Sequence, residues 1–168
     1  RYAAEALPFT RSKHSTIGDP QGSFILPELG GRGVAFVTWI TGVVPARCML
    51  MEMAARPPEL PPPTLLVSGA PRADALPYHE WLQRFASEHP WLRYESVVPP
   101  EGALPEEAVA EVIRRLPSFV NEAFGDGAGP STVHPMIAGL KRLVLPARDW
   151  FVEHLGYTPA QVHKETYD

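Results

Sequence analysis

The sequence has 168 residues, is 45% hydrophobic and carries a formal net charge of −4 at pH 7. This length is enough for one domain, or slightly more, with a buried core. The charge does not favour nucleic acid or an anionic membrane as a partner, and no apolar run approaches the roughly 20 residues of a membrane-spanning helix. A single cysteine, Cys48, excludes an intrachain disulfide and a cysteine metal cluster, and it favours a reducing, cytoplasmic setting.

The first third of the chain contains two predicted strands and one predicted helix. Residues 1–32 are polar and contain glycine, with one extended piece, "SFILP", and are interpreted as the tail of a different domain. The apolar run "VAFVTW" (34–39) predicts a buried strand, and "ITGVVPARCML" predicts a turn followed by a helix from Pro45 to about Ala55. A second strand is predicted at "TLLVSG" (64–69).

The rest of the chain continues the alternation of strands and helices. Residues 77–88 place large apolar side chains at helical spacing, 92–98 read as a third strand, and "LPEEAVAEVIRRL" (104–116) is the clearest helix. Two further helices are expected in "PMIAGLKRLVL" and "ARDWFVEHLG", broken or kinked at Pro146. The ending "QVHKETYD" alternates in the manner of a final strand.

This alternation predicts an α/β fold: a Rossmann-like parallel sheet with helices on both faces. Ligands of such sheets bind at the carboxyl ends of the strands, near the point where the strand order reverses. The turn at "ITG" follows the first apolar strand, so it is expected to lie at such an end.

Four stretches, in the same order along the chain, give a family resemblance. These are "GDPQGSFILP" (18–27), "VAFVTWITGVVPARCML", "LLVSGAPRADALPYHEWLQRFA" and the terminal "ETY". They resemble the barrel-to-nucleotide-domain junction, the G-T-G-(I/V)-A-P turn, the second strand with its helix, and the E-x-Y ending of ferredoxin–NADP reductase-type flavoprotein oxidoreductases. The resemblance implies that residues 1–32 end a flavin-binding barrel and that 33–168 form the NAD(P)-binding domain.

The resemblance also implies an activity. A protein of this family passes a hydride from NADPH or NADH to FAD, and electrons then leave for an iron–sulfur protein such as a ferredoxin or for another acceptor. The barrel motif R-x-Y-S/T does not occur in this sequence. The FAD site is therefore expected to lie mostly outside this chain.

The phosphate-binding candidates follow the first two predicted strands. In the resemblance, Thr41, Gly42, Val43 and Pro45 form a backbone cradle for the pyrophosphate at a helix N-terminus. The alternative is an ordinary strand-to-helix turn, and Ile40 stands where the family has its first glycine. After the second strand, Gly69 and Arg72 are placed to meet an adenosine phosphate, against the alternative of a solvated loop arginine.

The candidates nearest the chemistry lie in the last quarter of the chain. The family motif C-G-x-x-x-M has its nearest match in "STVHPM", with Ser131 in place of the cysteine and Met136 kept. Glu165 and Tyr167 are the catalytic candidates, because the family's terminal aromatic covers the flavin ring and its glutamate shapes the nicotinamide pocket. Exposed side chains on an edge strand are the alternative.

Two hypotheses remain open from the sequence. The first is the NAD(P)-binding part of a flavoprotein reductase, and the second is a degenerate, non-catalytic binding or scaffolding module of the same fold. Ile40 and Ser131 motivate the second hypothesis. No metal site is predicted, because the spacings of His134, His154 and His163 match no ligand pattern.

Overall fold

A computed structural model describes residues 24–55 and 60–167. Within these ranges the chain forms five parallel strands in the order β3-β2-β1-β4-β5. The strands are β1 Gly33–Trp39, β2 Thr64–Gly69, β3 Leu92–Val97, β4 Val133–Gly139 and β5 His163–Thr166. The α-helices are α1 Val43–Ala55, α2 His79–Glu88, α3 Pro105–Phe124 and α4 Lys141–Leu155. The predicted α/β class and parallel sheet are confirmed.

Two hydrophobic cores lie on the two faces of the sheet. Alternate residues of β1 point to opposite faces, so that Val34 and Phe36 enter one core while Val37 and Trp39 enter the other. The first core includes side chains of α1 and α2, and the second includes side chains of α3 and α4. All seven residues of β1 are buried, which explains why its sequence is a continuous apolar run.

The strand order reverses between β1 and β4. From β1 the chain moves outward through β2 to β3, then returns through α3 to form β4 on the other side of β1. The carboxyl ends of β1 and β4 therefore lie side by side, with the N-termini of α1 and α4 following them. This is the topological switch point at which open α/β sheets bind their ligands.

The predicted helix in "PMIAGLKRLVL" is wrong in its first half. Residues 133–139 form the buried strand β4, because a short apolar run has the same appearance in a buried strand and in a buried helix. The predicted break at Pro146 is absent, since α4 continues through it. Pro146 leaves the carbonyl of Arg142 without its helical donor, and Arg142 is exposed, so water can satisfy that group.

Helix α3 is longer than the sequence pattern predicts. It runs to Phe124 and includes Pro117, where the prediction stopped at Leu116. Phe119 and Val120 continue the buried stripe of the helix, and this packing outweighs the bond lost at the proline. None of the helices in residues 24–55 and 60–167 is both long and apolar enough to cross a membrane. Most of the segment interpreted as a barrel tail, 1–32, lies outside the described residues.

Candidate nucleotide site at the switch point

The turns that follow β1 and β4 are packed against each other. A Cβ atom at Gly42 would lie 2.0 Å from the carbonyl oxygen of Ala138, closer than any side chain can approach. A Cβ atom at Gly139 would lie 2.7 Å from Cβ of Trp39, and Gly139 has a φ of +145°. Both glycines are therefore required by the backbone contact that joins the two turns.

Ile40 occupies a backbone conformation that favours glycine. Its φ is 45°, in the left-handed region, where a β-branched residue is a clear outlier. Its partly buried side chain packs against the core on the α3 and α4 side of the sheet. This backbone conformation is one that glycine adopts without strain, and the chain keeps it with Ile40 at a cost of about 1–2 kcal/mol.

The N-terminus of α1 offers a modest phosphate cradle. The exposed Thr41 belongs to the short 3₁₀ turn Ile40–Gly42, which leads directly into the helix. The residues of the first helical turn are apolar, so no carboxylate opposes an anion at the positive end of the helix dipole. Two donors are not available, because Pro45 has no N–H and the N–H of the buried Val43 bonds to the carbonyls of Ile40 and Thr41. The residues present fit a phosphate group through the dipole and the Thr41 hydroxyl.

The C-terminal candidates lie at the same edge of the sheet. Glu165 is paired with Ala138 in the register of β4 and β5, and the N–H of Tyr167 donates to the carbonyl of Gly139 at 3.2 Å. Burial first, and the charge of Glu165 second, raise the pKa of the Tyr167 hydroxyl. Tyr167 is therefore a neutral phenol at neutral pH. The structure brings these two residues together with Thr41 and Gly42 at one switch point.

Gly69 and Arg72 lie farther out, where β2 ends. Gly69 is explained by packing, because a Cβ atom there would lie 2.7 Å from Val112 Cγ2 and 2.9 Å from Trp39 Cε3. Arg72 lines a cavity of about 620 Å³ at the carboxyl ends of β2 and β3. Its guanidinium is already paired with Asp74: Nε donates to Oδ1 at 2.9 Å, and a second nitrogen donates to Oδ2.

Ser131 and Met136 are not brought to this site. Ser131 precedes β4 and lies at the amino-terminal edge of the sheet, opposite the switch point. Met136 is fully buried in the core with α1 and α2 and presents no surface to a ligand. The strand-to-helix turn of this region is instead at Ala138 and Gly139, seven positions later. The sequence signal for this turn was Gly139, which directly follows the apolar end of β4. The prediction of a helix over these residues hid that signal.

Among the described residues, no group of three or more His, Cys, Asp or Glu side chains is placed to hold a metal ion. The site is therefore built from two backbone turns, a threonine, a tyrosine and a carboxylate. Such groups suit the binding and orientation of an organic cofactor.

Comparison of the fold with known proteins gives a consistent result. No model of a known protein family and no curated protein sequence matches the chain. Among solved structures, ferredoxin-NADP+ reductase from Plasmodium falciparum matches with a TM-score of 0.70 and 20% identity, covering 88% of this chain and 59% of the reductase. This chain has the fold of a ferredoxin-NADP+ reductase nucleotide-binding domain.

Two further matches extend this comparison. The Plasmodium falciparum reductase with 2'P-AMP matches with a TM-score of 0.62 and 19% identity, over 88% of this chain and 58% of that one. The Amycolatopsis cytochrome P450 reductase GcoB matches with a TM-score of 0.58 and 21% identity, over 88% of this chain and 42% of that one. The chain thus spans less than two thirds of the length of the reductases whose fold it shares.

Proposed function

We propose that this chain is the NAD(P)-binding part of a cytoplasmic NAD(P)H-dependent flavoprotein reductase. The observation that carries the proposal is the convergence, at one switch point, of the β1–α1 turn, the β4–α4 turn and the C-terminal residues Glu165 and Tyr167. When bound, NAD(P)H supplies a hydride for an FAD that is held mostly outside this chain. An iron–sulfur protein such as a ferredoxin is a proposed electron acceptor.

The β1–α1 turn has a binding role in this proposal. The Thr41 hydroxyl and the positive end of α1 hold the pyrophosphate, and the tight contact of Gly42 with Ala138 sets the position of that helix against β4. Because the contact is between backbone atoms, it has little freedom to shift. The cradle is thereby held in one place relative to the C-terminal residues.

Glu165 and Tyr167 have an orienting role. Tyr167 is 45% exposed, so its ring offers a flat surface at the edge of the site, and its neutral hydroxyl can donate one hydrogen bond. The Glu165 carboxylate lies two residues earlier, on β5, and accepts hydrogen bonds from a carboxamide group. Together they place and shield a planar ring at the carboxyl end of β4.

A second function is favoured by one specific observation. Ala138 precedes Gly139 in the β4–α4 turn, and its side chain carries neither a thiol nor a hydroxyl. Ile40 in addition strains the cradle turn. Both features favour a module that binds nucleotide, or a protein partner, without transferring hydride.

Titration of the chain with ADP-ribose, followed by amide NMR, tests the proposed binding site. Saturable shifts are expected at residues 41–44 and at Gly139, with Tyr167 responding to ligands that also carry nicotinamide. Thr41→Val is expected to weaken binding, whereas Ser131→Ala, at an exposed position on the opposite edge of the sheet, serves as the control. No shift at millimolar ligand would overturn the proposed binding function.

Hydride transfer needs a separate test with the intact parent protein. A reductase is expected to be yellow and to bleach anaerobically on addition of NADH or NADPH. A protein that binds ADP-ribose but stays colourless, or does not bleach, would support the non-catalytic alternative.

The Arg72–Asp74 pair provides a test of nucleotide preference. Asp74 neutralises Arg72, so a nucleotide carrying a 2'-phosphate gains little from this arginine. Asp74→Asn is expected to raise the affinity for 2'-AMP several-fold while leaving that for 5'-AMP unchanged. An equal change for both ligands would show that Arg72 does not meet the 2'-phosphate.

A further inference from the structure

A second cavity lies at the opposite, amino-terminal edge of the sheet. Its volume is about 340 Å³, and it is lined by side chains that include Arg32, His134, Tyr157 and His163. Three of these are potential cations. None of them belongs to the nucleotide site described above.

The strand register explains why the two histidines meet. His163 is paired with Met136, so it points to the same face of the sheet as Met136 and as His134, two residues earlier on β4. The two imidazole rings are 6.1 Å apart between centroids. His134 is only 5% exposed, and its Nε2 has no hydrogen-bond partner among the described residues. A buried polar atom without a partner costs about 1–3 kcal/mol unless a ligand or water satisfies it.

Arg32 supplies a fixed positive charge to this cavity. In the described part of the chain its guanidinium makes one long hydrogen bond, 3.4 Å to the carbonyl of Pro130, and no ion pair. Burial first, and the Arg32 charge second, lower the pKa of both His134 and His163, while the backbone of Leu29 and Glu28 partly offsets this at His134. The histidines are therefore held neutral beside an uncompensated cation.

The remaining polar groups around the cavity form no ion pair with Arg32 in the described part of the chain. Burial raises the pKa of Tyr157 to about 12, and its hydroxyl donates to the carbonyl of Val133 at 2.8 Å, so it stays neutral. Glu28 also lines the cavity but forms no ion pair with Arg32 within the described residues. An anion is the ligand that this combination of groups lacks.

We propose that Arg32, His134 and His163 form a binding site for a phosphate-class oxyanion at the amino-terminal edge of the sheet. A guanidinium and two imidazole rings from three separate segments line this one cavity, and both kinds of group can donate hydrogen bonds to a tetrahedral anion. The cavity is larger than inorganic phosphate, so an organic phosphate monoester also fits. His134 lies five positions before Gly139 on β4, a distance of roughly 17 Å, and His163 pairs with Met136, three positions or roughly 10 Å before Gly139.

Histidine NMR across a pH titration tests this site directly. With inorganic phosphate present, the pKa values of His134 and His163 are expected to rise by about one pH unit or more, because an opposite charge nearby favours the protonated form. His154 does not line the cavity, so its ring signals serve as the internal reference for the chemical shifts. Chloride at equal ionic strength controls for screening.

Substitutions separate the site from general electrostatics. Arg32→Gln is expected to abolish the response to phosphate, and Arg84→Gln, an exposed arginine on α2, is expected to preserve it. A response that does not saturate, or that survives in Arg32→Gln, would overturn the proposal. An equal response to acetate would also overturn it, because the site would then not select phosphate.

This test is independent of the proposed nucleotide function. Inorganic phosphate is expected to shift the histidines at the amino-terminal edge even if ADP-ribose leaves residues 41–44 unchanged. Conversely, ADP-ribose binding at the switch point with silent histidines would overturn only the second site.

Discussion

Each of the two turns at the switch point contains a residue with a positive φ, but the residue types differ. After β4, the positive φ is taken by Gly139, which also touches Trp39 and has no room for a Cβ atom. After β1, the positive φ is taken by Ile40, whose side chain finds space against the core. A positive φ alone can therefore be tolerated at some cost, but a backbone contact cannot accept any side chain.

The same comparison identifies Gly42 as the most constrained residue of the site. Its φ is ordinary, but its neighbour across the contact is a carbonyl oxygen, which cannot move without moving β4. The strength of the constraint depends on what lies opposite the glycine. Substitutions at these positions test whether the opposing atom or the dihedral angle decides the cost.

The largest effect is expected for Gly42→Ala. The new Cβ atom would lie 2.0 Å from the Ala138 oxygen, so the two turns must separate and the cores beneath them must repack. A loss of about 4 kcal/mol or more in the free energy of unfolding is expected, or loss of soluble protein. Urea denaturation measures the change.

Gly127→Ala is the matched control for this change. No atom lies within 4 Å of a Cβ atom placed at Gly127, and its φ requires no glycine. The free energy of unfolding of the Gly127→Ala variant is expected to change by less than about 0.5 kcal/mol. Similar losses in the two variants would show that the contact with Ala138 is not tight.

A smaller effect is expected for Gly139→Ala. Both the positive φ and the 2.7 Å approach to Trp39 Cβ oppose the substitution, for a combined loss of about 2–3 kcal/mol. Gly156→Ala measures the cost of the ordinary left-handed region without a contact, because Gly156 has a φ of +73° and open space around it, and the φ of +145° at Gly139 costs alanine at least as much. That variant is expected to lose only about 1 kcal/mol in thermal or urea unfolding. Equal losses of stability in the two variants would show that the contact with Trp39 makes no contribution.

At Ile40 the usual order of alanine and glycine is expected to reverse. Both Ile40→Ala and Ile40→Gly lose the packing of the side chain, but only glycine relieves the left-handed strain, so the glycine variant is expected to be about 1 kcal/mol more stable than the alanine variant. At Met51, exposed in the middle of α1, alanine is expected to be more stable than glycine by about 1 kcal/mol. The same order at both positions would contradict a left-handed Ile40.

The smallest effect concerns pH and the amino-terminal edge of the sheet, away from both turns. The folded-state pKa values of His134 and His163 lie below 6.5, so the unfolded chain binds more protons and stability is lost as the pH falls through the histidine range. Urea unfolding between pH 7 and pH 5 is expected to show this loss. His134→Gln is expected to flatten the curve. An unchanged slope in His134→Gln would assign the effect to other groups.

The sequence was sufficient for the class of fold and for the position of the first turn. β1 and β2 are short apolar runs bounded by turn residues, and α1 follows a turn that contains Gly42 and has Pro45 in its own first turn, so local patterns are decisive there. The clustering of Thr41 with Glu165 and Tyr167 could be predicted only through the family resemblance. These residues are far apart in the sequence. They come together because of the strand order, which no local sequence pattern indicates.

The tertiary structure decided β4, the prolines and the role of each glycine. Residues 133–139 become a strand because β1 and β5 supply partners on both sides, and Pro117 and Pro146 stay inside helices because the buried stripes of α3 and α4 continue past them. The requirement for glycine at Gly42 arises from Ala138, almost a hundred positions away. Local sequence determines which conformations a segment prefers, but only the packed neighbours determine which of them has room and partners.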